Sequence, residues 1–378
     1  MTKPERIFLS PPHMSGRERE LVGEVFDSNF IAPAGPMITR FEQDFCALTG
    51  QKAAAALSSG TGAMDIALRL LGVGVGDEVW VADLTFIGGV SPILYHGARP
   101  RFLDVSKETW TLDPEILKAE LGSADKEGRL PKVVIPVDLY GQSCDLDAIV
   151  AACNAYNIPV VVDAAESIGA LYKGRHVGKG ATMAVYSFNG NKIITTSGGG
   201  MLASDDEEMI TRARYLSQQA RQPVPHYEHT ETGYNYRMPS LCAAVGVGQL
   251  EVLPARVARR REIFDTYAKA FASVDGLSLM PEAGYGRANR WLTVVTLDPE
   301  IIQRKPMEVI AEAEKRNIEC RPVWKPMHEQ PVFKGAAHGS TQVSDQLFST
   351  GLCLPSGSSM TREQQSRVVG ELFKLLMA

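Results

Sequence analysis

Lys192 is the residue of this chain with the clearest chemical potential. It lies five residues after Ser187 and shortly before the glycine run 198–200. A lysine amine attacks a carbonyl group only when it is neutral, and glycines let the backbone approach a bound group closely. This spacing is typical of a lysine that forms a Schiff base. A lone lysine near glycines is more often a solvated loop residue, so the interpretation depends on its companions.

The first companion is Asp163. The apolar run 159–162 predicts a buried parallel strand that ends on this residue, and ligands of open α/β sheets collect at the carboxyl ends of strands. An aspartate there can keep the ring nitrogen of pyridoxal phosphate (PLP) protonated, which makes the ring an electron sink. A lone aspartate more often caps the next turn, but its place upstream of Lys192 favours the cofactor role.

Two further companions lie near the N-terminal end of the pattern. Gly60 and Thr61 open a helix whose apolar residues share one face, and the start of a helix offers free N–H groups to a phosphate. The segment matches neither a Walker loop nor a dinucleotide fingerprint. Phe86 follows an apolar strand and could stack on a flat ring, although a phenylalanine is more often plain core.

Together these segments resemble the DegT/DnrJ family of PLP-dependent sugar aminotransferases, which have the aspartate aminotransferase fold, also called fold type I. The resemblance runs from about residue 10 to the C-terminus. The segments that carry it are 58–62, 83–86, 162–169, 187–192, 233–238 and 324–331.

The resemblance implies a role for each cofactor-binding residue. The backbone at Gly60 and Thr61 and the hydroxyl of Ser187 would bind the phosphate. Phe86 would stack on the ring, and Asp163 would bind the ring nitrogen.

Three more roles come from the resemblance. Lys192 would be the catalytic residue that holds the aldehyde of PLP. Asn235 would reach the phosphate in the neighbouring subunit, which implies a homodimer with shared active sites. Glu166 stands beside the phenolic oxygen, where many members have glutamine or histidine. A carboxylate would repel that oxygen unless one of them holds a proton; the alternative is a pocket-wall residue.

His328 and Arg321 are the candidate substrate-binding residues. They lie in one stretch with Trp324 and Lys325, where cations could meet a carboxylate or a diphosphate, and arginine can grip such groups bidentately. The alternative for His328 is a structural residue in a proline-rich turn.

The resemblance also implies the reaction: L-glutamate would donate an amino group to a nucleotide-linked keto-deoxy sugar. Segments 29–36 and 324–328 are most similar to members acting at C4 of 4-keto-6-deoxy hexoses, including those that make bacillosamine-type or perosamine-type products for surface polysaccharides or glycans. Two alternatives are a PLP-dependent sugar dehydratase, in which the lysine is often replaced by histidine, and a non-catalytic ligand-binding regulator of the same fold.

Composition bounds the class of protein. A chain of 378 residues with 44% hydrophobic content predicts a globular enzyme of two domains, a large PLP-binding domain over 1–250 and a small C-terminal domain over 251–378. The net charge of −5 argues against nucleic-acid binding. The N-terminus lacks an apolar signal core and no apolar run looks long enough to span a membrane, so we expect a cytoplasmic protein. The six cysteines show no metal-binding spacing, and no metal site is predicted.

The elements that must position these residues indicate an α/β fold. Apolar runs at 78–82, 132–138, 158–163, 181–188 and 200–203 alternate with amphipathic segments, which predicts a mostly parallel sheet flanked by helices. The rest predicts a small α+β domain: a helix over 239–271 broken near Pro254, strands at 292–297 and 318–323, and helices over 306–316 and from a capping box at 361–364. The arginine run 256–262 is interpreted as a solvated face, and 217–232 as an ordered active-site or interface loop.

Overall fold

The computed structural model describes residues 5–339 and 341–377. The expectation that the chain lacks a signal segment rests partly on residues 1–4, which lie outside the described residues. The α-helices in these ranges are α1 (Glu18–Asp27), α2 (Pro36–Thr49), α3 (Gly60–Leu70), α4 (Ser91–Tyr95), α5 (Pro114–Lys126), α6 (Leu146–Asn154), α7 (Glu207–Ser217), α8 (Ser240–Phe271), α9 (Pro306–Lys315), α10 (Val343–Thr350) and α11 (Arg362–Leu376).

The strands are mostly short and apolar. They are β1 (Ala53–Leu57), β2 (Glu78–Ala82), β3 (Arg99–Leu103), β4 (Val133–Ile135), β5 (Val161–Asp163), β6 (Leu171–Tyr172), β7 (Arg175–His176), β8 (Met183–Ser187), β9 (Gly200–Ser204), β10 (Leu277–Leu279), β11 (Gly286–Arg287), β12 (Thr293–Leu297), β13 (Arg321–Pro322), β14 (Ala337–Gly339) and β15 (Gly351–Leu354).

The central sheet is mostly parallel. Two four-stranded sheets, ordered β1-β9-β8-β5 and β14-β3-β2-β4, are joined by parallel bridges from Val134 to Val160 and from Val137 to Asp163. β9 is antiparallel to both of its neighbours, whereas β5–β8, β2–β4, β2–β3 and β14–β3 are parallel pairs. α3 packs against β8 and β9, and α2 and α7 pack against β1. The predicted α/β class is confirmed.

All five strands predicted from apolar runs form. The run 78–82 matches β2 at both ends, and 200–203 is extended by Ser204 in β9. β4, β5 and β8 are shorter than predicted. Val137 and Val160 lie in the predicted runs outside β4 and β5, yet they still pair through isolated bridges. An apolar run thus indicates the sheet more reliably than it indicates the ends of a strand.

The long helix α8 differs from the prediction in two respects. It is continuous over 32 residues with Pro254 in its interior, so the predicted break is wrong. Proline removes one backbone hydrogen bond, but α8 packs against α1 and α2, and this packing overrides the local cost. The interpretation of 256–262 as a solvated face is wrong at Arg260, which is only 1% exposed.

By length and composition alone α8 could also cross a bilayer. Its most apolar window has a mean hydropathy of 1.3. Half of that window is buried inside the protein, as is common for a core helix, so this is weak support for a membrane span.

The C-terminal part forms an antiparallel sheet ordered β10-β12-β15-β13, with α9 and α11 packed against each other. This confirms the predicted small α+β unit. Its hydrophobic core is separate from that of the central sheet and includes Ile7 of the N-terminal segment together with Tyr267, Leu352 and Leu372. The predicted division of the chain at residue 250 falls inside α8 and stays a prediction.

Local signals place the C-terminal elements closely. Thr361 caps α11 as predicted, since its Oγ1 accepts from the backbone N–H of Gln364 at 3.1 Å while Gln364 Oε1 accepts from the N–H of Thr361 at 3.0 Å. β12 and α9 each end or begin within one residue of their predicted bounds. β13 has only two of the six predicted residues.

Candidate active site

A cavity of about 960 Å³ lies at the carboxyl ends of β5 and β8. It brings together most of the residues predicted for the site. Those that line it are Gly60, Thr61, Phe86, Asp163, Glu166, Ser187, Lys192 and Arg321. His328 and Asn235 are not among the lining residues.

One end of the cavity is built to hold an anion. Ser59 caps α3, and its Oγ accepts from the N–H of Gly62 at 2.9 Å. The N–H groups of Gly60 and Thr61 precede the first intrahelical hydrogen bond of α3, so they remain available, within the described part of the chain, at the positive end of the helix dipole. A Cβ on Gly60 would lie 3.2 Å from the Cβ of Ser187. The serine hydroxyl therefore sits beside these N–H groups.

Asp163 forms the buried acid of the site. Its Oδ1 accepts from the N–H of Ala165 at 3.1 Å, and a Cβ on Gly89 would collide with its Oδ2, so the glycine leaves room for the carboxylate. Burial raises the pKa of Asp163, while the Ala165 N–H and the charge of Lys192 act in the opposite direction. A positively charged group in the cavity would stabilise the carboxylate further.

Lys192 and Glu166 lie side by side. The Nζ of Lys192 is 3.3 Å from Glu166 Oε1, and Glu166 Oε2 accepts from the N–H of Tyr140 at 2.7 Å. Burial raises the pKa of Glu166 to about 7, against the opposing effects of Lys192 and the Tyr140 N–H. Near neutral pH the carboxyl group therefore exchanges between its charged and neutral forms.

Aromatic side chains form one wall. The ring of Phe86 is 5.8 Å from that of Trp324, and Trp324 is 5.5 Å from Tyr140. The backbone N–H of Trp324 donates to the phenolic oxygen of Tyr140 at 3.0 Å. Phe86 is 60% exposed, so its ring has a face free for a planar ligand.

These features fit PLP. The helix start with Ser187 suits a phosphate dianion, and the buried carboxylate of Asp163 suits a protonated ring nitrogen. Phe86 offers a face for the ring, and the amine of Lys192 is within the same cavity. The donors and acceptors present are therefore those that the cofactor requires.

Arg321 lies at the edge of the cavity. Its side chain is 62% exposed and pairs with Glu319 at 2.6 Å. Glu319 in turn accepts from the backbone N–H of Leu9 at 3.0 Å. The guanidinium is thus held at the edge with most of its surface open to an anionic ligand.

His328 lies outside the cavity lining, in a polar cluster. Its Nδ1 is 2.6 Å from Asp83 Oδ2 and its Nε2 is 3.2 Å from Asp345 Oδ1, and its ring stacks on that of His338 at 4.7 Å. This ties the C-terminal segment to the end of β2. The substrate role of His328 stays a prediction.

Asn235 also lies outside the lining and is exposed. Its Oδ1 accepts from Gln219 at 3.0 Å. The structure of one chain therefore does not bring Asn235 to the phosphate end of this cavity, and its role in a neighbouring subunit stays a prediction.

Four residues that the sequence analysis did not assign also shape the site: Tyr140, Asn289, Trp291 and Trp324. Trp291 lines the cavity, and its indole lies under the amine of Lys192. In the sequence, Trp291 is marked only by being a tryptophan, an uncommon residue, just before a predicted strand. Asn289 is fully buried, and no local pattern distinguished it from a loop asparagine.

Comparison with known proteins gives the family. The profile of the DegT/DnrJ/EryC1/StrS aminotransferase family matches residues 12–373. The chain belongs to this family. The resemblance predicted from the sequence segments is therefore confirmed.

Relatives within the DegT/DnrJ/EryC1/StrS family cover almost the whole chain. EpsN of Bacillus subtilis (strain 168), whose name assigns it provisionally to PLP-dependent aminotransferases, is 49% identical over 375 residues, which are 98% of this chain and 96% of EpsN. GDP-perosamine synthase of Caulobacter vibrioides is 34% identical over 373 residues, 98% and 99% of the two chains. The structure of the aminotransferase TlmJ from Streptoalloteichus hindustanus superposes with a TM-score of 0.90 at 28% identity, covering 99% of each chain.

The cofactor and the class of enzyme follow from this membership. The chain is a sugar aminotransferase, and its cofactor is PLP. Both predictions are confirmed. The comparisons favour the enzyme over the dehydratase and the non-catalytic regulator that the sequence left as alternatives.

Proposed function

We propose that this sugar aminotransferase moves the amino group of L-glutamate to C4 of a nucleotide-linked 4-keto-6-deoxy hexose, for surface polysaccharide or glycan biosynthesis. The observation that carries the proposal is that Lys192, Asp163 and the anion-binding helix start meet in one cavity. At about 960 Å³ the cavity is large for PLP alone. The relative named GDP-perosamine synthase supports a sugar nucleotide as the acceptor.

The chain contributes binding groups and one mobile base. When bound, PLP supplies an aldehyde and an electron-withdrawing ring. The N–H groups of Gly60 and Thr61 and the Oγ of Ser187 would hold its phosphate, and Asp163 would accept a hydrogen bond from its ring nitrogen. The Nζ of Lys192 accepts and returns a proton as general base and general acid.

Glu166 tunes this proton transfer. Burial raises its pKa to about 7, so the carboxyl group can hold a proton at neutral pH. A neutral carboxyl group does not repel the phenolic oxygen of the cofactor. Because Oε2 accepts from Tyr140, the atom that faces Lys192 is Oε1.

Arg321 is the proposed anchor for an anionic substrate group. Its exposed guanidinium at the edge of the cavity can bind a carboxylate or a diphosphate through two parallel hydrogen bonds. The ion pair with Glu319 orients it, and a ligand has to compete with that pair only in part, since arginine has five N–H donors.

The proposal includes a homodimer with shared active sites. Asn235 is exposed, and segment 217–235 adjoins segment 28–35 through a hydrogen bond from Gln218 Nε2 to the carbonyl of Pro33 at 3.4 Å. These adjoining segments expose Phe30 and Tyr227, at 52% and 80%. Large exposed aromatic side chains on one surface are typical of interaction sites.

Mixed dimers test the shared site. Asn235→Ala and Lys192→Ala each damage a different subunit's contribution, so a dimer that combines them retains one intact site. Partial recovery of activity on mixing supports the shared site. No recovery, with mixed dimers demonstrated by a tag on one chain, contradicts it.

A cytoplasmic location is part of the same proposal. All six cysteines are free, and four of them are buried thiols. Unpaired cysteines are usual in reducing compartments, which supports this location.

The decisive experiment follows the two half-reactions separately. The protein is incubated with PLP and L-glutamate while the absorbance of the bound cofactor is recorded, and nucleotide-linked keto sugars are then screened for return of the original spectrum. Nuclear magnetic resonance of the product identifies the aminated carbon. Spectral change with glutamate and reversal by a 4-keto-6-deoxy sugar nucleotide support the proposal; reversal only by 3-keto sugars would contradict amination at C4.

A further inference from the structure

The amine of Lys192 rests on an aromatic face. Its Nζ lies 4.2 Å from the centroid of the Trp291 ring, in addition to its contact with Glu166 Oε1. Both partners are sheltered, with the lysine side chain 11% exposed and Trp291 3% exposed. A cation over the face of an indole is attracted by the negative charge of the ring face, and exclusion of water strengthens that attraction.

The indole is fixed from several directions. Its Nε1 donates to the carbonyl of Asn191 at 2.8 Å, and its backbone N–H donates to Asn289 Oδ1 at 2.8 Å. The ring also stacks on Tyr140, with centroids 6.5 Å apart and planes inclined by 24°. These contacts hold the ring face at one orientation in the cavity wall.

A buried cation reinforces the same wall. Arg260 of α8 donates through one amino group to the carbonyl of Trp291 and through the other to Ser10 Oγ at 2.9 Å. Ser10 in turn donates to the carbonyl of Asn191 at 2.7 Å. Within the described residues no carboxylate pairs with this guanidinium, and burial lowers the pKa of Arg260 to about 9.

Burying an unpaired charge is unfavourable for folding. Here the guanidinium links the two segments that carry Trp291 and Lys192, since Asn191 precedes the lysine directly. This unfavourable burial therefore fixes the indole of Trp291 relative to the segment that carries the amine of Lys192, although the two are distant in the chain.

We propose that Trp291 is a positioning residue for Lys192, whose free ammonium group it holds against the cavity wall whenever the lysine is not bonded to the cofactor. This inference rests on the proposed role of Lys192. Each half-reaction frees the lysine, and a free lysine side chain can rotate about four bonds. Held on the indole, the ammonium group stays inside the cavity, placed to return its proton as general acid, instead of turning toward water.

The first test measures how accessible the amine is in the full chain freed of cofactor. The rate of acetylation at Lys192 is determined by mass spectrometry in the wild type, Trp291→Phe and Trp291→Met. Methionine fills space without an aromatic face, whereas phenylalanine retains one. We expect labelling about 3- to 10-fold faster in Trp291→Met and within about two-fold of wild type in Trp291→Phe. Lys173, which lies over Tyr172 and does not line the cavity, is the internal reference.

A second measurement tests the same inference without a substitution at Trp291, so it can be made even if Trp291→Met does not fold. Uniform replacement of tryptophan by 5-fluorotryptophan weakens the negative ring face with little change in size, so the fold persists. We expect about two-fold faster labelling of Lys192 with Lys173 unchanged. Labelling at the wild-type rate in the fluorinated or the methionine protein overturns the inference, as does equal labelling in the methionine and phenylalanine variants.

Turnover separates positioning from a structural role. In the holoenzyme, Trp291→Met should lower kcat about 3- to 10-fold with the KM for glutamate within about two-fold, and Trp291→Phe should restore most of kcat. Borohydride trapping on the holoenzyme keeps the two proposals apart. A label on another lysine ends the proposed role of Lys192, whereas a label on Lys192 with no effect of Trp291 overturns only this inference.

Discussion

The floor and the roof of the cavity are built in different ways. The floor consists of Gly60, Asp163 and Ser187, which lie at strand ends or at a helix start, and of Lys192, which lies in the loop that follows β8. The roof consists of Trp291, Arg321, Trp324 and segment 8–12, which come from the two ends of the chain. The floor depends on local motifs, and the roof depends on contacts between distant segments. Chemistry can thus be predicted from short patterns while its positioning cannot.

The floor predicts the largest effect. Lys192→Ala removes the group that bonds to the cofactor and transfers the proton, so we expect at least about a 1,000-fold loss of kcat. The circular dichroism spectrum should remain that of the wild type. The matched control, Lys126→Ala, removes an exposed lysine of α5 and should leave turnover unchanged. If Lys192→Ala still aminated the substrate, the reaction would not take place at the floor of this cavity.

The roof predicts a loss of stability. Asn289 Nδ2 donates to the carbonyls of Glu166 and Ile168, each at 2.9 Å, and its Oδ1 accepts from Trp291. Asn289→Ala leaves these buried groups unpaired, and we expect a fall of about 3 kcal/mol in the free energy of unfolding in urea. Asn154→Ala, at an exposed position in α6, should cost less than about 0.5 kcal/mol. Equal effects would show that this side chain does not hold the roof.

Glu166 joins the two regions and predicts a pH dependence. Its carboxyl pKa is about 7 in the folded chain against an ordinary 4.5, so the folded state binds the proton more tightly. The stability of the wild type should therefore fall as pH rises through 7. In Glu166→Gln this contribution is absent, so the variant should gain about 2 kcal/mol relative to wild type between pH 5 and pH 8.

Urea unfolding of the chain freed of cofactor at the two pH values measures this difference. Glu127→Gln, at an exposed position, is the control and should follow the wild type. A difference independent of pH would mean that Glu166 titrates in its ordinary range.

The edge of the roof predicts the smallest effect. Arg321→Ala should raise the KM for the sugar nucleotide about 10-fold, because a charged hydrogen-bonded pair is lost, with kcat within about two-fold. Arg362, which is 84% exposed, provides the control Arg362→Ala. If Arg321→Ala changed kcat and left KM unchanged, Arg321 would act in the reaction and not in substrate binding.

The sequence predicted the floor because each of its residues carries a local signal. Asp163 ends an apolar run, Gly60 and Thr61 start an amphipathic helix, and Ser187 and Lys192 stand five residues apart. Strand ends and helix starts are where functional groups gather in open α/β sheets, so the pattern and the position agree.

Apart from Arg321, which the sequence does predict, the roof carries no local signal, because its residues contact segments that are distant in the chain. Trp291 reaches Asn191 across 100 residues, and no periodicity reports such a pair. Arg260 stands among four arginines in 256–261, and composition could not show which of them turns into the core. β14 has only three residues and pairs with β3 without an apolar pattern of its own.

The continuous helix α8 has one more consequence. Its first half lies in the core of the central sheet through Val247 and Leu253, and its second half lies in the other core through Ile263 and Phe271. One helix thus belongs to both hydrophobic cores. Any movement of one core relative to the other would have to bend α8. Pro254 lacks a backbone N–H, so the helix has one hydrogen bond fewer at this position. It is therefore the place where α8 would bend most easily.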